Sequence, residues 1–178
     1  MENKTIDNNK TIRVMELTIL ENRHYSEGRK IRLVKPSIGM RGVFQLDSSC
    51  WYETRVYGNH INKLVGFSLD LFNRSSIRLG WRPSSEEGMF EILIYIHYNG
   101  RWIRSSREHD DIIKVVGTEK NNFLIMFEKG MLVYEVEGEE KSLKIPFRRG
   151  WGWMMWFYFG GKVRSPHTMS MKVNYVME

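Results

Sequence analysis

The segment MFEILIYIHYNGRW, residues 89–102, contains a strand pattern that runs into a hairpin turn. Apolar side chains occupy every second position from Phe90 to Tyr98, whereas Glu91 and His97 stand on alternate positions. Successive side chains of a β-strand point to opposite faces, so the apolar row predicts a side that faces a core. The Asn-Gly pair that follows predicts a tight type I′ turn and a second antiparallel strand.

The same alternation recurs from Arg13 to the end of the chain, in short segments separated by Gly, Asn, Ser or Pro. Residues 123–147 have the pattern of a three-stranded meander. About a dozen short strands with close turns favour an antiparallel β-sandwich or barrel. We therefore predict an all-β chain with one β-sandwich domain at residues 12–178 and a flexible N-terminal arm at residues 1–11.

The composition is that of a packed globular protein, with 178 residues, 42% hydrophobic residues and a net charge of +6. The basic residues are dispersed, which is typical of a solvated surface but leaves an acidic partner such as a glycan or nucleic acid open. The single cysteine, Cys50, excludes a disulfide within the chain. The five histidines are scattered, so we expect neither a metal site nor a cofactor. The polar N-terminus lacks the apolar region of a signal peptide, and the expected location is the cytoplasm of the producing cell.

The aromatic segment RRGWGWMMWFYFGGKVRSPHTM, residues 148–169, is too short to span a membrane. Its apolar part covers 151–159, whereas a spanning helix needs ~20 residues. We predict a central strand, next to last in the chain, that is covered on both faces. Alternation gives two rows, of which one fills the core and the other is either covered or open to a ligand. The first row contains Trp151, Trp153, Met155, Phe157 and Phe159, and the second contains Met154, Trp156 and Tyr158.

Two parts of the sequence resemble the concanavalin A-like jelly rolls. YFGGKVRSPHTMSMKVNYV, residues 158–176, resembles the end of that fold, where an aromatic strand enters a Gly-Gly turn. INKLVGFSLDLFNRSSIRLGWRP, residues 61–83, followed by residues 90–102, resembles its middle. The similarity extends over about residues 40–178 and is greatest to small proteins of Bacteroides-type gut bacteria and their phages. It implies a jelly-roll sandwich of the kind that hosts lectins, glycan hydrolases, polysaccharide lyases and virion modules.

Three of the predicted strands define a candidate site. Their core-facing rows are predicted to contain Val65, Phe67, Leu69 and Leu71, then Ile77, Leu79 and Trp81, then Phe90, Ile92, Ile94, Ile96 and Tyr98. If the strands are neighbours, the opposite face carries the candidate glycan-binding residues Asp70, Arg78, Arg82, Glu91, Tyr95 and His97. Tyr95 and Trp156 would stack on sugar faces, Tyr158 is a further glycan-binding candidate, and charged groups would bind hydroxyls or acids. The alternative is an ordinary polar face with cross-strand ion pairs such as Asp70–Arg78.

Two kinds of catalysis can be considered for this face. A retaining glycosidase needs two carboxylates about 5–5.5 Å apart, and the strand at residues 89–98 supplies only Glu91, which argues against hydrolysis. A polysaccharide lyase needs a cation that neutralises a uronate and a group that moves the α-proton. Arg78, Tyr95 and His97 would provide these groups.

The sequence thus favours a non-catalytic, lectin-like binding or structural module that recognises a glycan. A phage virion component, whose arm contacts a neighbouring subunit or forms an oligomer, is one form of this function. The first alternative is a lyase that acts on acidic glycans. The second is a basic protein that binds single-stranded nucleic acid through Arg101, Trp102, Arg104 and Arg107, where arginines alternate with an aromatic residue.

Overall fold

The structure, a computed structural model, describes residues 13–28, 32–34, 39–54, 60–72, 74–104, 112–128, 131–144, 150–160 and 163–178. The strands within these residues are β1 (Arg13–Ile19), β2 (Leu33–Val34), β3 (Gly39–Leu46), β4 (Asn62–Ser68), β5 (Ser76–Pro83), β6 (Met89–Tyr98), β7 (Arg101–Arg104), β8 (Ile113–Val116), β9 (Asn121–Glu128), β10 (Met131–Val136), β11 (Glu139–Lys144), β12 (Gly152–Met155) and β13 (Met169–Met177). A short 3₁₀ helix, Ser48–Cys50, follows β3. No helix in these ranges is long and apolar enough to cross a membrane. The predicted arm, residues 1–11, lies outside the described residues.

The strands form two antiparallel sheets. Sheet A has the order β1-β13-β3-β9-β10-β11, and sheet B has the order β2-β12-β4-β5-β6-β7, with β8 also paired to β6. The predicted meander is confirmed as β9, β10 and β11. The predicted hairpin is confirmed between β6 and β7, where Asn99 and Gly100 have the positive φ values of 49° and 75° that a type I′ turn requires.

The inward rows of the two sheets meet in one hydrophobic core. Its largest fully buried side chains are Trp81, Tyr134, Tyr175, Phe44, Phe90, Phe157 and Phe159. The predicted adjacency of β4, β5 and β6 is confirmed, and their inward rows lie in this core as expected. Leu71 is an exception, since β4 ends at Ser68 and the Leu71 side chain is 50% exposed. Tyr98, at the end of β6, is only partly buried and lies outside the core cluster.

The aromatic segment departs from its predicted alternation. β12 ends at Met155, and it lies between β4 and the two-residue edge strand β2 rather than at the centre of the sheet. Met154 faces the core, but so do Phe157 and Phe159, so the inward side changes from even to odd positions. The reason is that the chain leaves the strand ladder after Met155 and pairs with β4 again only at Tyr158. The two predicted rows are therefore wrong.

Candidate functional site

One row across the outer face of sheet B connects four strands. Tyr95 on β6 lies opposite Arg78 on β5, Arg78 lies opposite Gly66 on β4, and Gly66 lies opposite Met155 on β12. A Cβ atom at Gly66 would lie 2.1 Å from the Ile77 carbonyl oxygen, so β4 and β5 can approach here only with a glycine. The row places Arg78 between a phenol ring and a position that has no side chain.

The neighbouring row brings a lysine beside this arginine. Lys63 lies opposite Gly80 on one side and bridges to Tyr158 on the other. A bulge between Lys63 and Val65 inserts Leu64, which is buried in the core, and turns Lys63 to the outer face. Without the bulge, alternation from Val65 would direct Lys63 inward, and for this reason the sequence pattern did not identify Lys63 as a site residue.

The Lys63 side chain is buried, with 8% of its surface exposed. Its Nζ donates a hydrogen bond to the Ile61 carbonyl at 2.9 Å and lies 4.5 Å and 5.4 Å from the ring centres of Tyr95 and Tyr158. Burial, and next the charge of Arg78, lower the pKa of Lys63 to about 8. Aromatic rings attract a cation through their electron-rich faces, so these two rings replace part of the lost hydration of the ammonium.

Arg78 is also poorly compensated. Its Nε atom is buried and has no hydrogen-bond partner, and burial lowers the pKa of the guanidinium. No carboxylate among the described residues forms an ion pair with Arg78 or Lys63. Burying a charge without an opposite charge is costly, so an anion placed here would offset part of that cost.

Aromatic side chains from a distant loop complete the site. His24 stacks on Tyr158 with ring centres 5.5 Å apart and an angle of 14°, and Tyr25 meets Tyr158 edge-on at 5.0 Å. Phe159 N donates to the His24 carbonyl at 2.8 Å, and this bond fixes the loop to the strand segment. Tyr25 is 57% exposed. We call Lys63, Arg78, Tyr95, Tyr158, Tyr25 and His24 the cationic tyrosine cluster.

The two inner tyrosines of the cluster remain neutral phenols near pH 7. Burial raises the pKa of Tyr95 and of Tyr158 above its ordinary value. A neutral phenol offers a hydroxyl for hydrogen bonding and an apolar ring for contact with a sugar face. The cluster therefore combines two basic side chains with tyrosine rings that offer both an apolar face and a hydroxyl group.

Only part of the predicted site is assembled in this cluster. Tyr95, Arg78 and Tyr158 belong to it, and His97 lies on the same face opposite Ser76. Trp156 does not, because it packs against the core and meets Tyr175 edge-on at 6.1 Å.

The predicted Asp70–Arg78 ion pair is wrong. The Asp70 carboxylate instead accepts hydrogen bonds from the backbone N–H groups of Phe72, Arg74 and Ser75, at 2.9, 3.0 and 2.7 Å. A short acidic side chain that bonds to the backbone just ahead of it stabilises a turn. Asp70 therefore shapes the loop between β4 and β5 and lies outside the cluster.

Arg82 and Glu91 lie on the outer face but bind each other. Arg82 Nε is 2.6 Å from Glu91 Oε2, and their side chains are only 14% and 19% exposed. With Asp70 used in its turn, Glu91 is the one carboxylate left among the predicted site residues, and it is held by a cation. These residues therefore do not form the pair of acids that glycoside hydrolysis requires. Within the described ranges, no three His, Cys, Asp or Glu side chains are grouped in a way that would hold a metal ion.

The sequence also matches no protein-family model and no curated protein. Several solved structures are similar in fold. A Bacteroides ovatus mixed linkage glucan GH16 protein in complex with its product has a TM-score of 0.53 at 12% identity, over 96% of this chain and 85% of that one. An alginate lyase from Alteromonas sp. 272 has a TM-score of 0.52 at 8% identity, over 93% and 87%. A 1,3-α-1,4-β-D-galactose-4-sulfate-3,6-anhydro-D-galactose 4 galactohydrolase has a TM-score of 0.51 at 12% identity, over 96% of this chain and 82% of that one. At these identities the likeness shows the fold, a jelly-roll β-sandwich of the concanavalin A-like type.

Proposed function

We propose that this chain binds an acidic glycan on the outer face of sheet B, at the cationic tyrosine cluster. One observation carries the proposal: a buried lysine lies beside an arginine with a buried, unpartnered Nε, and no described carboxylate pairs with either. A carboxylate or sulfate group of a sugar would supply the missing negative charge. Charge-assisted hydrogen bonds of this kind contribute about 1.5–3 kcal/mol each.

The aromatic part of the cluster supports a sugar rather than a simple inorganic anion. Tyr158 is held between His24 and Tyr25, and Tyr95 lies directly opposite Arg78. Tyrosine rings combine an apolar face for the C–H groups of a pyranose with a hydroxyl for its polar edge. Two of the structural neighbours are named for alginate and for a sulfated galactan, which are acidic polysaccharides. These names agree with the chemistry of the cluster.

Binding without cleavage fits this face best. Glu91 is bound to Arg82, so it is not available as a nucleophile or as one of two acids. A second candidate is β-elimination of a uronate, because Arg78, Tyr95 and His97 do share the outer face and Tyr95 is adjacent to Arg78. Incubation with alginate and pectate distinguishes the two, since a lyase produces unsaturated uronates that absorb ultraviolet light and a binding protein does not.

The proposal is tested by calorimetric titration with alginate, pectate and a sulfated galactan, and with neutral laminarin as the reference. We expect binding of at least one acidic polymer, and an affinity lower by about 10- to 100-fold in Arg78→Met, since 1.4 kcal/mol equals about tenfold. Arg41→Met is the matched control, because Arg41 lies on sheet A and pairs with Glu178. Absence of binding to every acidic polymer, or equal loss in both variants, would overturn the proposal.

The wider biological setting remains a proposal as well. A virion component that binds neighbouring subunits, with the cytoplasm of the producing cell as its place of synthesis, is compatible with a glycan-binding sandwich. Solution mass measured for the full chain and for a form without residues 1–11 tests whether the arm forms oligomers. Nucleic-acid binding at residues 101–107, of which 105–107 lie outside the described residues, would appear as salt-sensitive retention of a single strand.

A further inference from the structure

We propose that anion binding at the cationic tyrosine cluster is coupled to the protonation of Lys63, so that a rise in pH releases the ligand. This inference rests on the proposed function, because it assigns to one residue of that site the control of its affinity. It follows from where the Lys63 ammonium lies: inside the cluster, next to a second cation, and with one carbonyl as its hydrogen-bond acceptor.

Several of the described elements surround Lys63. β5 contributes Arg78, β6 contributes Tyr95 and the bridging segment after β12 contributes Tyr158, while the loop after β1 places His24 and Tyr25 against Tyr158. No described carboxylate pairs with the ammonium. Among the described residues, the groups around Lys63 are thus one further cation, a histidine and three tyrosines, and burial raises the pKa of Tyr95 and of Tyr158.

Glycine makes room for this arrangement. A Cβ atom at Gly160 would lie 2.7 Å from Lys63 Nζ and 2.0 Å from the Ile61 carbonyl oxygen. The ammonium thus lies against a backbone that only glycine leaves open at this position. Lys63 lies close enough to feel the charge of Arg78, so it must tolerate that charge, lose its proton or gain an anion.

The consequences for binding follow from proton linkage. Without ligand, burial and Arg78 lower the pKa of Lys63 to about 8, so the amine is charged at pH 7 and largely neutral at pH 9. An anion beside Lys63 favours the charged form, and binding must then take up a proton at the higher pH. If the anion requires the charged amine, affinity falls about tenfold between pH 7 and pH 9. Tyr95 and Tyr158 do not account for such a fall, since burial raises their pKa values.

The experiment measures the affinity of the full-length chain for an alginate oligosaccharide and for inorganic sulfate at pH 7, 8 and 9. Calorimetry in two buffers with different protonation enthalpies gives the number of protons taken up. Lys63→Arg keeps the charge at every pH, because a guanidinium does not lose its proton in this range, and Lys63→Met removes it. His24→Gln tests a second titratable side chain of the cluster.

The wild type is expected to lose about tenfold in affinity from pH 7 to pH 9, with a proton uptake on binding that rises from pH 7 to pH 9, as linkage requires. Lys63→Arg should bind equally at both pH values, Lys63→Met should bind weakly at both, and His24→Gln should behave as the wild type. If the wild type binds alginate with a pH-independent affinity, or if His24→Gln abolishes the dependence, the inference fails while the proposed function stands. If sulfate binds with the dependence but none of the acidic polymers binds, the inference stands and the glycan function fails. If neither sulfate nor any of the acidic polymers binds at pH 7, both are overturned.

Discussion

Replacing Lys63 with methionine should make the folded chain more stable at neutral pH, and the gain should disappear as the pH rises. Lys63 is 8% exposed, and its pKa falls from an ordinary value of 10.5 to about 8 in the folded chain. The folded state thus binds a proton at Lys63 less tightly than the unfolded state does. The charge on Lys63 therefore lowers the free energy of unfolding. This penalty is complete below pH 8 and vanishes at pH values far above 10.5.

The size of the penalty follows from these two pKa values. Since one pKa unit equals about 1.4 kcal/mol, the charged lysine lowers the free energy of unfolding by about 3 kcal/mol at pH 7, about 2 at pH 9 and about 1 at pH 10. Methionine has a similar length and no charge. The contacts that Lys63 makes in both charge states change the offset between the variants, whereas the two pKa values set how the difference varies with pH.

The assay is urea denaturation of wild type and Lys63→Met at pH 7, 9 and 10, with the free energies of unfolding compared at each pH. We expect the difference in favour of the variant to shrink by about 2 kcal/mol from pH 7 to pH 10. Lys172→Met is the matched control, because Lys172 is 65% exposed and pairs with Glu16 on the surface of sheet A. A constant difference between Lys63→Met and wild type, or the same trend in the control, would refute the account of Lys63 as a buried cation.

Three other predictions concern single positions. Gly66→Ala should destabilise the fold by about 1–3 kcal/mol in the same denaturation assay, because its Cβ would meet the Ile77 carbonyl oxygen; an unchanged stability would contradict the close approach of β4 and β5. Asp70→Ala should lower the free energy of unfolding by about 1–3 kcal/mol, since three backbone N–H groups lose their acceptor. The same variant should bind the glycan with wild-type affinity, and a large loss of affinity would show that Asp70 belongs to the site. Cys50 should react with a thiol reagent only on unfolding, because burial raises the pKa of its thiol, and rapid labelling of the folded chain would disagree.

Much of the fold follows from local patterns in the sequence. Alternation identifies the inward rows of β5 and β6, and the Asn99-Gly100 pair identifies the hairpin between β6 and β7. Such patterns are reliable because the pleat of a strand fixes the direction of each side chain. The order of β4, β5 and β6 also follows, since strands that are close in sequence tend to pair.

The site was predicted only in part, because it depends on breaks in those patterns. Lys63 reaches the outer face through a bulge that inserts Leu64, and no residue in that stretch marks a bulge. The change of inward side between Met154 and Phe157 arises where the chain leaves the ladder, in a run of residues that are apolar on every position. Asp70 follows the alternation of β4, but the strand ends before it.

The other part of the site that the sequence did not predict depends on contacts between residues far apart in the chain. His24 and Tyr25 join Tyr158 from more than a hundred residues away in the chain, through a loop whose sequence has no recognisable motif. Local sequence patterns do not determine such a meeting of segments, which depends on how the two sheets stack. Tyr158 was predicted as a glycan-binding candidate on its own, and the structure adds the two aromatic neighbours, His24 and Tyr25, that contact it.

The central claim is that an acidic glycan binds the outer face of sheet B at the cationic tyrosine cluster. Its most direct test is a two-dimensional amide NMR titration of the wild type with an alginate oligosaccharide at pH 7. The account predicts that the resonances of β4, β5 and residues 156–160 shift, while those of β9, β10 and β11 on sheet A stay in place. Shifts confined to sheet A, or a spectrum that does not change at any concentration of the oligosaccharide, would contradict it.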